Sequence, residues 1–269
     1  MSTSPHDRAS DLLWQCWQRG DVTADLPAEL KPTTRREGYA IQAGLDRHST
    51  KPRVGWKIAA TSSAGQKHIG VDGPLAGRIL AERVIDGRTP VSIKTNRMRV
   101  AEPEFAFRIG RELMPRDKPY AVDEVMAAIE ALHLTIELPD SRFTEYAKVG
   151  GPALIADNAC AHELIIGPAV TADWRVIDLS QHKVKAHMRA KGDRDGIGSN
   201  VYGDPRVAMT WIANELSGIG ISLRPGEIIT TGTCMVPLEI VEGDHINADF
   251  GVLGTISCSI ARQEFSSIR

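Results

Sequence analysis

The chain changes texture at Val54, and that change decides what it can fold into. Before it, apolar residues recur at helical spacing. Leu12, Leu13, Cys16 and Trp17 form one stripe over residues 8–19, with Gly20 as a stop. A proline-marked connector, Leu26 to Pro32, follows. Thr34 with Glu37 three residues on is a capping-box signature, opening a second helix that carries Tyr39, Ile41 and Leu45. From Val54 onward, segments of strand length recur between Gly, Pro, Asp and Asn: 54–60, 97–109, 132–138, 162–166, 182–190, 227–232, 237–242 and 245–261. Two helices interrupt them. One covers 122–131, starting near Asp123. The other covers 205–217, with Asp204 as N-cap, Pro205 at the first position and Gly218 at the exit. Helices followed by strands, without regular β–α alternation, predict an α+β fold rather than a doubly wound parallel sheet. The expected division is a helical portion over 1–50 and a β-rich domain, carrying the catalysis, over 51–269.

Composition removes whole classes. The 32 basic and 34 acidic residues of this 269-residue chain leave a net charge of −2, and they are scattered. A nucleic-acid partner is therefore not expected. No apolar run approaches the roughly 18 residues of a membrane span, so no membrane partner is expected either. Met1 to Ser10 is polar, without the apolar stretch of a signal peptide. Cys16, Cys160, Cys234 and Cys258 form no CxxC and no tight framework. They read as reduced thiols in a cytoplasmic protein.

Chemistry concentrates in three segments. In Arg99 to Ile109, a period of two puts Ala101, Pro103, Phe105, Phe107 and Ile109 on one face and Glu102 and Glu104 on the other. Two adjacent carboxylates on one strand face repel, and burial raises that cost; a cation between them removes both problems. A solvated pair of glutamates is the plainer alternative. In His133 to Asp140, Leu134, Ile136 and Leu138 share a face and Glu137 stands on the other. It is a third carboxylate for the same cation, or a partner for Arg142. In Val54 to Ser62, Lys57 lies opposite Trp56 and Ile58, flanked by the small Gly55 and Ala59. HExxH, GxSxG, P-loop and GxGxxG patterns are absent. Cys160 and His162 would share a face on a strand, but a packed cysteine is the commoner fate. His187 among Lys183, Lys185 and Arg189 reads as a solvated basic stripe or a subunit contact.

Taken together, these pieces resemble the 2-keto-4-pentenoate hydratase and 4-oxalocrotonate decarboxylase family, within the fumarylacetoacetate hydrolase-like superfamily. Gly55-Trp56-Lys57-Ile58-Ala59-Ala60-Thr61-Ser62 is similar to its G-x-K-x-G-x-T-S segment. Gly70-Val71-Asp72-Gly73-Pro74-Leu75-Ala76-Gly77 is similar to its G-V-D-x-P-x-x-G segment. Glu102-Pro103-Glu104, followed by Glu137, resembles its metal-ligand set. Ala156 to Ala159, Trp211 to Gly220, Gly232-Thr233 and the closing Gly243-Asp244…Gly254 strands also match, so the likeness spans about 10–260. The resemblance implies a mixed β-roll core with a small N-terminal helical portion. It also implies a divalent metal, Mg²⁺ or Mn²⁺, held by Glu102, Glu104 and Glu137. Leu75 stands where hydratases of the family usually carry Asp and decarboxylases tend to carry an apolar residue. Cys160 stands where Ser is usual.

Three carboxylate oxygens leave about three of six octahedral positions open, enough for the carboxylate and keto oxygens of a 2-keto acid. On this resemblance the chain is a lyase of aromatic compound catabolism, hydrating a 2-hydroxy-2,4-dienoate to a 4-hydroxy-2-oxo acid. The alternatives are decarboxylation of a 2-oxo-enedioate of the 4-oxalocrotonate type, and a non-catalytic partner subunit with the same fold. A C–C hydrolase is less well matched, because the segment reads E-P-E-F-A-F rather than D-F-E-G-E-L-A. Lys57, Cys160 and Asp72 are the catalytic candidates, with His68 a further proton carrier. Lys57, Leu75 and Asp157 are the substrate-binding candidates. A homo-oligomer is expected, with hydratase–decarboxylase association as a further option.

Overall fold

A computed structural model describes residues 4–189 and 191–262. The first helix, α1 (Pro5–Arg19), is opened by reciprocal bonds between Ser4 and Asp7 and closed by Gly20 in the left-handed conformation. The Thr34–Glu37 capping box opens α2 (Arg35–Gln42) as its spacing predicts. Leu45 falls outside it, in the single turn α3 (Leu45–His48). Then come β1 (Arg53–Ala59), α4 (Ser63–Ile69), β2 (Leu75–Leu80), β3 (Val84–Ile85) and β4 (Val100–Ile109). The middle holds α5 (Val122–Met126), β5 (Ile129–Leu138), α6 (Gly151–Ala156), β6 (Glu163–Ala169), β7 (Lys183–Met188) and β8 (Gly192–Ile197). The chain continues through α7 (Pro205–Gly218), β9 (Ile228–Thr233), β10 (Leu238–Glu239), β11 (His245–Asp249) and β12 (Thr255–Ser259).

The strands form a mixed sheet in the order β2-β1-β9-β4-β5-β6-β3, with β10 beside β4, and a second sheet, β12-β11-β7-β8. The β1–β9 and β3–β6 pairs are parallel and the other pairs of the larger sheet antiparallel. This is the α+β architecture expected from the order of segments. The sheets meet through one core. Phe105 of β4 stands edge-on to Phe250 at 5.1 Å between ring centres, and Leu134 and Ile256 lie in the same cluster.

Several boundaries differ from the expectation. The helix over 122–131 stops at Met126, because Ile129 already pairs with Ile109 at the end of β4. The segment 245–261 is two strands of a hairpin, broken at Gly254, where φ is +110°. β2, β3, β8, α4 and α6 have no counterpart among the expected elements. β8 reads Gly-Asp-Arg-Asp-Gly-Ile, a strand without apolar alternation.

β2 ends the larger sheet, yet its outward backbone groups are satisfied. Tyr39 Oη accepts from Ala76 N at 3.2 Å, and Gln42 Nε2 donates to Ala76 O at 2.8 Å. Gln42 Nε2 also lies 2.9 Å from Ile155 O, tying α2 to α6. The helical portion thus covers a sheet edge, where unpaired donors and acceptors would otherwise face outward. Among the described residues, no helix is long and apolar enough to cross a membrane.

Candidate active site

The antiparallel register of β4 and β5 sets Glu102 directly opposite Glu137, and Glu104 two residues further along the same face. Directly opposite residues lie close enough for like charges to destabilise a sheet. Here both Glu104 and Glu137 are almost wholly buried, at 0% and 2% exposure, while Glu102 opens partly to a cleft. Pro103, Phe105, Phe107 and Ile109 take the other face of β4 into the core, which leaves the glutamates no choice of side. One oxygen from each carboxylate lies within 4.8 Å of the others. That is the separation spanned by two metal–oxygen bonds of a hard cation, about 4–5 Å. Glu104 Oε2 accepts from Gly232 N at 2.8 Å, but Glu104 Oε1 and Glu137 Oε2 are buried without a partner. Buried, unpaired carboxylate oxygens are costly. The donor set therefore fits a divalent, oxygen-preferring cation.

The electrostatics agree. Burial, then repulsion from Glu137, pushes Glu102 up to about 7. Burial and the two neighbouring carboxylates push Glu104 well above the usual range, and burial raises Glu137 despite the attraction of Lys57. For Lys57, burial works against the charge, but Glu137, Glu102 and Glu104 outweigh it and the net direction is upward. Lys57 Nζ lies 3.2 Å from Glu137 Oε1. β1 and β5 are three strands apart, roughly 14 Å in a flat sheet. The contact exists because the sheet curls.

The cleft above these residues has a volume of about 540 Å³. Lys57, Glu102, Gly232 and Thr233 line it together with the more apolar Met98, Val100, Met235 and Val236. Cys160 and the pair His68–Tyr146, joined at 3.3 Å, also line it. Cys160 ends an unusual turn: Asn158, Ala159 and Cys160 have φ of 57°, 50° and 60°. Left-handed backbone costs of order 1 kcal/mol or more for each residue other than glycine, least for Asn. The turn carries the Ala159 carbonyl to 3.1 Å from Lys57 Nζ.

Residues 77–261 match the family described as fumarylacetoacetate (FAA) hydrolase C-terminal. The chain belongs to the fumarylacetoacetate hydrolase family. Among its relatives is a 2-keto-4-pentenoate hydratase of Paraburkholderia xenovorans (strain LB400), 26% identical, with 99% of this chain and 97% of that one aligned. A 2-hydroxyhexa-2,4-dienoate hydratase of Comamonas testosteroni is 29% identical, over 92% of this chain and 94% of that one. The fold is similar to 4-oxalocrotonate decarboxylase from Pseudomonas putida G7, complexed with magnesium and adipate. The TM-score is 0.86 at 22% identity, covering 97% and 98% of the two chains.

Within this member of the family, the candidate residues separate. Lys57, Glu102, Glu104 and Glu137 converge, and Cys160 joins them at the cleft wall. Asp72 does not: it is exposed in the turn before β2, on the side of Arg35. Leu75, expected as a wall of the substrate pocket, is fully buried opposite Ala59 and does not line the cleft. Asp157, expected at the substrate, is consumed by internal bonds. Ser141 Oγ donates to it at 2.6 Å, Arg142 N donates at 3.0 Å, and the Arg142 guanidinium pairs with it. Arg142 is therefore not the partner of Glu137. The Cys160–His162 dyad does not form, because His162 Nδ1 accepts from Trp17 Nε1 at 2.7 Å. Burial pushes His162 down to about 3 and the Cys160 thiol up to about 12, the opposite of an activated pair. Lys183, Lys185 and His187 are exposed on β7, and Asp193 and Asp195 of β8 lie against the latter two. Tyr146 and Asn200 belong to the site without any sequence signal that singles them out. Gly232, part of the Gly232-Thr233 match, gives its amide to the site: its φ of +94° and a Cβ position 2.1 Å from Thr61 Oγ1 admit only glycine.

Proposed function

We propose that this chain is a metal-dependent hydro-lyase that adds water to a 2-hydroxy-2,4-dienoate of the 2-keto-4-pentenoate type, giving a 4-hydroxy-2-oxo acid. The observation that carries the reading is the convergence of three buried carboxylates and a buried lysine at a cleft of substrate size. The likeness to hydratases over nearly the whole chain supports it. Glu102, Glu104 and Glu137 would hold the ion, with Mg²⁺ or Mn²⁺ the best match to an all-oxygen donor set. When bound, the ion supplies Lewis acidity toward the carboxylate and keto oxygens of a 2-keto acid.

The protein's own groups do the rest. Lys57 has three N–H donors; Glu137 and the Ala159 carbonyl take two, and the third is left for the substrate. The substrate's double bonds are C2=C3 and C4=C5, so the 2-hydroxyl first gives up its proton and C5 gains one, leaving a 2-oxo-3-enoate. Lys57 then stabilises charge on the 2-oxygen as water bonds to C4 and the C3=C4 electrons move toward the keto group. The water gives up a proton and C3 receives one, so the product differs from the substrate by one H₂O. His68 and Tyr146 are the paired ionisable groups at the cleft wall, and we assign proton transfer to them. Asp72 lies outside the cleft and Asp157 is internally paired. Cys160, held as a thiol, forms no covalent intermediate.

A second reading, decarboxylation of a 2-oxo-enedioate, is favoured by the likeness to a 4-oxalocrotonate decarboxylase of Pseudomonas sp, 25% identical over 94% of this chain. Against it, Lys57 and His68 are the only Lys, Arg or His among the described residues lining the cleft, which leaves no arginine for a second carboxylate. The deciding assay supplies 2-hydroxypenta-2,4-dienoate and 2-oxohex-3-enedioate, each with and without Mg²⁺. A 4-hydroxy-2-oxo acid is expected. Carbon dioxide release would establish the decarboxylase instead, and silence on both the non-catalytic partner. The same reading takes the protein as a cytoplasmic homo-oligomer able to associate with a decarboxylase. Its four free thiols fit a reducing compartment. Light scattering of the chain, alone and mixed with a decarboxylase, tests the assembly.

A further inference from the structure

We propose that Asn158 is a positioning residue for Lys57, acting by completing the edge of β2 with its side chain. β2 is the terminal strand of the larger sheet, and at Arg78 its outward N–H and C=O meet no strand. They meet the Asn158 amide instead. Arg78 N donates to Asn158 Oδ1 at 2.6 Å, and Asn158 Nδ2 donates to Arg78 O at 2.9 Å. One side chain thus reproduces both hydrogen bonds of a neighbouring strand residue. Oδ1 and Nδ2 differ in role, so the grip fixes the orientation of the amide and of the backbone that carries it.

That backbone is the first residue of the left-handed turn Asn158–Cys160. Three successive left-handed residues persist only where the surroundings over-determine them. On one side is the grip on Arg78. On the other is Gly77, where a Cβ would fall 2.3 Å from Asn158 O and 3.2 Å from Lys57 Cγ. Gly77 is the register partner of Lys57. The turn therefore seats against β2 at the one residue that admits it, directly across from Lys57. Its Ala159 carbonyl is then the acceptor for one Lys57 proton. With Glu137 holding a second, the direction of the third follows from the turn. Released, the ammonium would keep Glu137 and lose its orientation toward the cleft. The proposal rests on the reading of Lys57 as the charge donor of the cleft.

Asn158→Asp keeps the shape of the side chain and removes the donor to Arg78 O. Asn158→Ala removes the grip. Gly77→Ala pushes the turn away from the opposite side. Each is compared with the parent protein by reductive methylation of lysines, mapped by mass spectrometry, and by steady-state kinetics. Labelling of Lys57, which is 3% exposed, is expected to rise about tenfold or more relative to surface lysines. Cys258 in the second sheet should stay unreactive to a thiol reagent, reporting an intact core. kcat should fall by about 10²-fold with KM little changed, the scale of a misplaced catalytic group. Variants that keep Cys258 protected and leave Lys57 labelling and kcat at parent values would overturn the proposal. Exposure of Cys258 in all three would overturn it too, making the turn a requirement of the fold instead. If the parent turns over no dienoate, the hydratase reading fails, while the labelling still decides the role of Asn158.

Discussion

β4 and β7 carry the same sequence pattern, with charged residues at alternate positions opposite an apolar face, and they meet opposite fates. On β7, Lys185 and His187 stand in solvent and pair with Asp193 and Asp195 of β8. On β4, Glu102 and Glu104 turn inward and face a third carboxylate on β5. Period-two alternation therefore tells which residues share a face and not which side of the sheet is covered. What separates the two strands is the charge of the neighbours. Opposite charges across β7–β8 need nothing further. Like charges across β4–β5 are tolerable only with a cation, a proton or Lys57 among them.

The largest effect should come from breaking the buried set. Glu104→Gln keeps an acceptor for Gly232 N and removes one charge. Activity should fall by about 10³-fold or more, equivalent to several kcal/mol of lost transition-state stabilisation. Mg²⁺ at a hundredfold excess over its Kd should stabilise the parent by about 2.7 kcal/mol in thermal unfolding. The variant should show no such shift, and its metal-free Tm should not drop. A variant with full activity and an intact Mg²⁺ response would dismiss the triad. Next in size, Lys57→Met should lower kcat by about 10²–10³-fold, the scale of one lost charge-stabilising donor. Unchanged kinetics on the true substrate would remove Lys57 from the mechanism. Cys160→Ser should stay within about tenfold of the parent, or 1.4 kcal/mol, because the thiol is protonated and unactivated. A substrate adduct trapped on Cys160 by mass spectrometry would reverse that. The smallest effect belongs to the exposed strand: Lys185→Ala should change unfolding free energy by no more than about 0.5 kcal/mol. A larger loss would mean that the β7–β8 face is covered by something else.

The convergence at the centre of the site was legible because its signals are local. Glu102 and Glu104 share a strand, and the alternation around them is unambiguous; Lys57 sits in an equally clear phase. The family resemblance supplied what local spacing does not, the meeting of β4 with β5. The places of Leu75, Asp72 and Asp157 are not legible for a different reason. Each lies in or beside a turn, where the direction of a side chain depends on the packing of distant helices. Asp157 is the plainest case: its partner Arg142 comes from a separate loop, and nothing in either segment announces the pair. β8 is not legible in the sequence because its strand character comes from pairing with β7, not from its own residues. The helix expected to run to Ala131 was cut short by a strand partner that lies twenty residues upstream.

The way β2 is finished bears on how small this protein can be made. Tyr39, Gln42 and Asn158 occupy the backbone groups of Ala76 and Arg78 that another strand would otherwise seek. Two of those three side chains come from α2, inside the segment that looks most dispensable. A version trimmed to begin at β1 would keep the carboxylates, Lys57 and the Asn158 grip on Arg78, but would present the uncovered backbone groups of Ala76 to its own copies. Such edges template intermolecular pairing. The trimmed protein is expected to assemble through β2 into a concentration-dependent aggregate, visible by light scattering, so the first two helices serve as much to keep molecules apart as to hold one together.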